Sequence, residues 1–412
     1  METIIPTDWK KRSNIIKVIG VGGGGNNAVS YMYSQKIKNI DFVICNTDYQ
    51  ALQMSSVPDK LQLGSVLTKG LGAGCDPEQG RKAAKESLSQ IEQLFEGDTE
   101  MVFITCGMGG GTGTGATPVI AEVAKNKGLL TVGVVTIPFR DEGPEALYRA
   151  IEGVKELNKQ VDSLLIIDNQ KLYQMFGELD VFSAFPKADE VLATAVKSIA
   201  EIITCGGFIN VDFADVKMVM KNSGMALMGT GIASGPTRAL EAVEKAFVSP
   251  LLNEYDLKTA KSVLVNITSS SEPGMALKTY ELSQIMDYIK EYTGPTSNFK
   301  RGVVKDDSMG ENISVTIIAT GFVMNSLPEI SEDLINQENR IIMKIEDDDY
   351  IFNNRGIPLH TTEQSQIKRK EHIIGKPALI VESSEEIAEL ESEPAYIRRE
   401  RMLNIQKTES RV

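Results

Sequence analysis

Apolar positions along the chain follow two rhythms that succeed one another. From Ile15 to about residue 177, short apolar runs of strand length alternate with stretches whose apolar residues recur at three and four. The runs predict strands over Ile15–Gly20, Phe42–Cys45, Met101–Thr105, Leu129–Ile137 and Val161–Ile167. The periodic stretches predict helices over Asn26–Gln35, Pro77–Phe95, Ala116–Lys127 and Pro144–Gln160. Such alternation means an α/β fold with a parallel, Rossmann-type sheet. A further amphipathic helix, about Ala188–Ile203, carries Val191, Leu192, Val196, Ile199 and Ile203 on one stripe and is long enough to link two halves. A second α/β domain follows, with strands over Ala226–Ala233, Lys261–Thr268, Thr296–Val304 and Ile313–Thr320 and helices over Pro236–Phe247 and Glu281–Glu291.

Outside these limits the pattern is lost. Residues 1–14 read as a loose polar arm. From about 322 to 391, Gln, Asn, Glu, Ser and Lys dominate, as in a disordered linker with an r.m.s. span of roughly 45 Å. Apolar residues return within 392–412, where Glu393–Leu403 suits a short helix in a partner's groove. The expected division is therefore 1–14, 15–178, 179–222, 223–321, 322–391 and 392–412.

Three glycine-dense loops interrupt the first rhythm, each between a strand and a helix. They are Val21–Ala28, Gly64–Gly80 and Thr105–Gly115, the last reading Thr-Cys-Gly-Met-Gly-Gly-Gly-Thr-Gly-Thr-Gly. Glycine lets backbone N–H groups approach a ligand closely, and a helix N-terminus favours an anion. The Thr105–Gly115 loop has no lysine, so it is a phosphate cradle of a kind other than Walker A. Loops that follow parallel strands open at one sheet edge, where ligands bind. Three of them together point to a nucleotide with a polyphosphate tail. Taken alone, Gly23-x-Gly25-x-x-Ala28 with Asp48 some 20 residues on also fits a nicotinamide dinucleotide site, which would make the protein an oxidoreductase.

Composition narrows the chemistry. The 412 residues carry a net charge of −13, which argues against a nucleic-acid surface or an anionic membrane surface. Four widely spaced cysteines without a CxxC point to a reducing cytoplasm, with neither a disulfide framework nor a zinc site. No apolar run reaches the roughly 18 residues of a membrane span, and no signal peptide is visible. Both histidines, His360 and His372, lie in the polar C-terminal stretch, so chemistry in the folded part has to run without histidine. Asp212 and Asp215 stand three apart where a loop enters a helix. They share a face that can orient a water or hold a cation, although Asp212 also fits an ordinary helix cap.

The Gly109–Gly115 run, Gly-Gly-Gly-Thr-Gly-Thr-Gly, resembles the signature of the tubulin/FtsZ superfamily. Over 15–321 the resemblance to the FtsZ branch extends through Gly20–Val29, Cys45–Leu52, Gly70–Gly74, Val135–Phe139, Asn210–Val216 and Leu264–Thr268. It implies a tubulin-like fold with a GTPase domain, a long central helix and a C-terminal domain. GTP would be hydrolysed to GDP in head-to-tail filaments at the mid-cell division site. Gly23, Gly24, Gly25, Asn26, Asn27, Gly110, Gly111, Thr112 and Gly113 would take the phosphates, with Mg²⁺ bound through them. Glu142 would reach the ribose, Asn169 and Asp189 would read the guanine, and Phe185 would stack on it. Asn210, Asp212 and Asp215 would enter the site of the next subunit. Pro394–Leu403 matches the place of a peptide that docks on division proteins, including an actin-like membrane tether. The resemblance departs at Ala146, where the family usually has arginine; the nearest cation there is Arg149. A nucleotide-binding regulator that never assembles is the remaining alternative.

Overall fold

The computed structural model describes residues 14–171, 181–204, 212–249, 252, 257–293 and 298–322; within the helix Val181–Thr204, side chains 181–186 and 188 are not described. The N-terminal arm through residue 13, Asn210, Cys205, both histidines and everything from 323 on lie outside the described residues, as does the side chain of Phe185.

In chain order the elements run β1 Ile16–Val21, α1 Gly22–Ser34, β2 Ile40–Asn46, α2 Tyr49–Met54, β3 Asp59–Gln62, α3 Ser65–Thr68, α4 Pro77–Glu86 and α5 Leu88–Leu94. There follow β4 Met101–Gly107, α6 Thr112–Asn126, β5 Leu130–Ile137, α7 Pro144–Gln160, β6 Ser163–Asp168, α8 Val181–Thr204 and α9 Phe213–Met220. The last group is β7 Gly224–Ala233, α10 Arg238–Val248, β8 Ser262–Ser269, α11 Thr279–Thr293, β9 Asn298–Lys305 and β10 Ile313–Phe322. Among the described residues all ten strands belong to one sheet, ordered β3-β2-β1-β4-β5-β6-β7-β10-β8-β9. The first six follow the doubly wound order, which leaves a crevice between β1 and β4 at their carboxyl ends. β7 joins β6 in parallel through Ser163↔Gly224, Leu164↔Met225 and Leu165↔Ala226. β10 is antiparallel to both β7 and β8, so only β10 runs against the others. The second α/β part is thus grafted onto the first sheet and does not build its own.

Two apolar layers sandwich this sheet. One buries α4, α6, α7, α10 and α11 through residues such as Ile120, Ile151, Val243 and Ile285. The other buries α1, α8 and α9 through Met32, Val196, Ile199 and Val219. Burying one such aliphatic side chain contributes about 1.5–3 kcal/mol, and this outweighs poor local propensity in two places. α1 and α6 each begin four residues earlier than the apolar periodicity predicts, inside glycine runs. A Cβ on Gly25 would stand 2.3 Å from the Thr105 carbonyl oxygen, and one on Gly113 2.5 Å from that of Gly107. Only backbone fits there, so both helices press directly on β4. The predicted helix Pro77–Phe95 is two, broken at Ser87, whose hydroxyl accepts a hydrogen bond from Gly64 N at 3.0 Å.

One buried charge pair ties the later elements together. Arg238 and Glu281 are 5% and 2% exposed. Arg238 Nε donates to Glu281 Oε1 at 2.8 Å and Nη2 to Oε2 at 3.0 Å, while the remaining donors take the carbonyls of Met275, Ala276 and Glu311. The guanidinium so pins the starts of α10 and α11 to two loops. Burial alone would raise the Glu281 carboxyl, but the bonds from Arg238 and from Lys278 N outweigh it and hold the group below the ordinary glutamate value. A depressed carboxylate contributes stability above its unfolded value, about 4.3, and loses it as pH falls through the folded value. Glu281→Ala is expected to cost about 3–5 kcal/mol at pH 7 by urea unfolding, because a buried arginine is left uncompensated. The gap should close in strong acid. A cost under about 1 kcal/mol at pH 7 would mean that the pair is not what secures these loops.

Candidate functional site

At the carboxyl ends of the strands, where β1 and β4 part, lies a cavity of about 460 Å³, within the usual range of ligand sites. Its floor is made of two helix beginnings. Gly23, Gly24 and Asn27 come from α1, and Gly110, Gly111, Thr112 and Gly113 from the loop entering α6. Gly22 adopts φ 71°, the left-handed region that turns β1 into α1. Neither helix start has a side-chain cap or an acid in its first turn. Their first N–H groups and the positive ends of both dipoles therefore face one hollow, as an anionic ligand requires.

The loop between β4 and α6 is braced from within. Gly109 N donates to Thr114 Oγ1 at 2.9 Å, and Arg149 Nε donates to Gly109 O at 2.8 Å, so both faces of that residue are held. Thr112 Oγ1 shares a 2.6 Å hydrogen bond with Thr47 Oγ1. Thr114 thus turns inward to support the loop, whereas Thr112 lines the cavity. Ala146, where the resemblance leads one to expect arginine, is buried against the same loop. Arg149, one turn on, is the cation that grips it.

The walls come from later strand ends. Glu142 lines the cavity and accepts a hydrogen bond from Phe139 N at 2.9 Å. The short turn that carries it is tied to the end of β6 by Arg140 Nη2 and Asp168 Oδ2 at 2.9 Å. Asn169 follows β6 and lines the hollow; its Oδ1 is buried and has no hydrogen-bond partner among the described residues. Asp189 closes the far wall from α8, its carboxyl pushed up to about 6 by burial. Asn169 and Asp189 thus give this cavity an unpaired amide oxygen and a half-buried carboxylate, both acceptors, which suit a ligand that presents N–H donors.

Of the residues the sequence nominated, ten line this cavity: Gly23, Gly24, Asn27, Gly110, Gly111, Thr112, Gly113, Glu142, Asn169 and Asp189. Gly25 and Asn26 do not. Gly25 packs on β4; Asn26, with its amide oriented to satisfy its neighbours, donates to the carbonyls of Gly20 and Gly22 and accepts from Asn46 Nδ2. Asp48, the acid on which the dinucleotide alternative leaned, caps α2 by accepting from Ala51 N at 3.1 Å, and it is not among the lining residues. Four further lining residues, Ala73, Cys75, Gly107 and Met108, fall within the glycine-dense loops Gly64–Gly80 and Thr105–Gly115 without having been named singly. Thr136, Pro138 and Leu192 were not nominated; the end of the strand before Pro138 was the available signal for the first two.

Asp212 and Asp215 stand apart from all of this. Asp212 caps α9, its Oδ1 accepting from Asp215 N at 2.8 Å, and its side chain is exposed. Asp215 Oδ1 pairs with Lys300 Nζ at 2.5 Å. α9 leads into the start of β7, which pairs with the start of β6, and Lys300 lies near the start of β9. The carboxylates thus occupy the edge where strands begin, and the cavity occupies the edge where they end. Along α8, Asp189 alone is about 22 Å of helix from Thr204.

Comparison with known proteins gives one answer along most of the chain. The model for the GTPase domain of the tubulin/FtsZ family matches residues 15–177, and that for the FtsZ family C-terminal domain matches 224–323. The cell division protein FtsZ of Azotobacter vinelandii is 52% identical over 311 residues, covering 75% of this chain and 78% of that protein. That of Porphyromonas gingivalis is 42% identical over 393 residues, covering 93% and 85%. Among solved structures, an empty FtsZ dimer from M. jannaschii is 40% identical with a TM-score of 0.70, covering 76% of this chain and 89% of that one.

The cradle glycines separate ligand approach from packing. A Cβ on Gly110 meets nothing within 4 Å, while one on Gly111 would stand 2.9 Å from Ala73 Cβ and from Asp76 N. Gly110 therefore leaves room for a ligand, whereas Gly111 also seats the loop that carries Ala73. Gly110→Val should fold with unchanged unfolding midpoint and lose GTP binding in a fluorescence titration. Gly111→Val should lose stability as well. Near-normal affinity in Gly110→Val would remove the phosphates from this loop.

Proposed function

This chain belongs to the tubulin/FtsZ family, and from that premise we propose how its two sheet edges share one reaction. The protein is a cell-division GTPase that forms filaments. In our reading GTP sits in the cavity with its phosphates on the first turns of α1 and α6, on Gly23, Gly24, Asn27, Gly110, Gly111, Thr112 and Gly113. Gly25 and Asn26 serve by holding that first turn in place. Glu142 accepts from the ribose, and Asn169 and Asp189 accept from the guanine, with Phe185 as the stacking partner. Mg²⁺, when bound, would be held through the phosphates, and no step below depends on it.

Phosphoryl transfer to water needs charge stabilisation and a placed nucleophile more than a strong base. The N–H groups of the two helix starts supply the first from within the chain. The second comes from Asp212 and Asp215 of the next copy, together with Asn210. The observation that carries this reading is the separation of the two edges. A carboxylate pair beyond the far end of α8 cannot reach its own cavity, but head-to-tail stacking brings it to a neighbour's. The chain's charge and the lack, among the described residues, of any helix long and apolar enough to cross a membrane fit a filament that relies on another protein for membrane attachment. We assign that contact, and with it mid-cell placement, to Pro394–Leu403, on the resemblance noted above.

Asp212→Ala is expected to bind GTP normally and to hydrolyse it roughly 10²–10⁴ times more slowly. Mixed with wild type it should lower the wild-type rate as well, because each interface draws Asp212 from one partner only. Normal turnover would leave Asp212 as a helix cap and nothing more. Truncation after residue 390 should leave GTPase activity and sedimentation with GTP near wild type while abolishing recruitment to liposomes coated with an actin-like tether. Recruitment that survives truncation would move the docking site to the folded part.

A further inference from the structure

Lys300 sits where the fold otherwise places apolar residues. In the parallel register of β8 and β9 it lies opposite Leu264. Leu264 belongs to the apolar layer that also takes in Val216, Val219 and Met220 of α9. Residues opposite one another in a parallel pair point to the same face. Lys300 therefore presents an ammonium on the α9 side of an edge strand, and that ammonium meets Asp215 Oδ1 at 2.5 Å across 85 positions of sequence. Both side chains keep about a third of their surface exposed, 34% for Lys300 and 30% for Asp215.

The local charges give the contact its meaning. Asp212 and Asp215 share the first turn of α9, and Asp212 Oδ1 is committed to the Asp215 N–H. Two like charges within one turn repel, and a cation beside them relieves the repulsion. A mobile K⁺ or Na⁺ ion would do this from solvent. An ammonium carries the same single charge and is held permanently by its backbone.

We propose that Lys300 is a positioning residue for hydrolysis: it is the built-in counter-ion of the Asp212/Asp215 pair, orienting Asp215 and taking the place a monovalent cation would otherwise fill. This rests on the reading that the two carboxylates complete a neighbour's site. An isolated surface ion pair would contribute little to stability and would not touch turnover, so the readout has to be cation dependence and not folding.

The test measures GTP turnover of the full chain from 0 to 200 mM KCl, with choline chloride holding ionic strength constant. Wild type should stay flat. Lys300→Gln should fall roughly tenfold without K⁺, the scale of one charge-assisted hydrogen bond, and recover as K⁺ is added. Lys300→Arg should keep the flat profile. A Lys300→Gln variant with wild-type turnover and profile overturns the proposal, as does a loss that neither K⁺ nor Na⁺ restores. So does a wild type that itself requires K⁺. Asp215→Asn is measured beside them: unchanged turnover there refutes the carboxylate reading itself, whereas a slow Asp215→Asn with a normal Lys300→Gln refutes only the role of Lys300.

Discussion

Two helix starts pressed onto one strand, with no side chain between, form the contact on which the rest of the molecule depends. Gly25 lies against Thr105 O and Gly113 against Gly107 O, so α1 and α6 open within reach of the same hollow. With a methyl group at either place, the helix would have to ride up off β4 and its dipole would miss the anion. The surrounding architecture keeps this contact under load. Apolar layers on both faces of the sheet push the helices down, while Thr114 and Arg149 hold the intervening loop from inside and outside. The cavity floor is thus a matter of backbone placement, and the cost in glycine entropy is offset by burial further along each helix.

The second constraint is the continuity of the sheet. Because β7 pairs with β6 for only three residues on one side and with β10 from Met225 to Ala233 on the other, the later strands extend the first sheet at its edge. α8 crosses the face of that sheet in a single 24-residue run. The same helix thereby supplies Asp189 to the cavity and delivers α9 with its carboxylates to the opposite edge. The cavity and the carboxylate pair are separated by construction, and the fold keeps them at opposite edges of the sheet.

Much of this was legible in the sequence because strand-length apolar runs and glycine-dense loops alternate so regularly. What escaped did so for physical reasons. The first turns of α1 and α6 have no apolar periodicity, since their residues are small in order to lie on backbone; only the strand beneath them makes them helical. β3 reads Asp-Lys-Leu-Gln, an exposed edge with no apolar alternation, and it exists through its pairing with β2. Gly25 and Asn26 belong to the same glycine motif but are not among the lining residues: Gly25 lies on β4, and the Asn26 side chain bonds to Gly20, Gly22 and Asn46. Leu192 reaches the cavity from a helix stripe that looks purely structural when read in one dimension. The Lys300–Asp215 pair has no sequence signal at all, because it depends on the register between β8 and β9.

The opposed edges also set an arithmetic for assembly. On the head-to-tail reading proposed above, a row of n copies contains n − 1 junctions and so n − 1 complete sites, one bare carboxylate edge and one cavity that nothing covers. A lone molecule would have no complete site. Specific activity per copy would then climb with length toward a ceiling, and the nucleotide in the terminal uncovered cavity would outlast those behind it. Such a row is chemically polar: its two tips differ in what they expose and in how long they would keep their fuel.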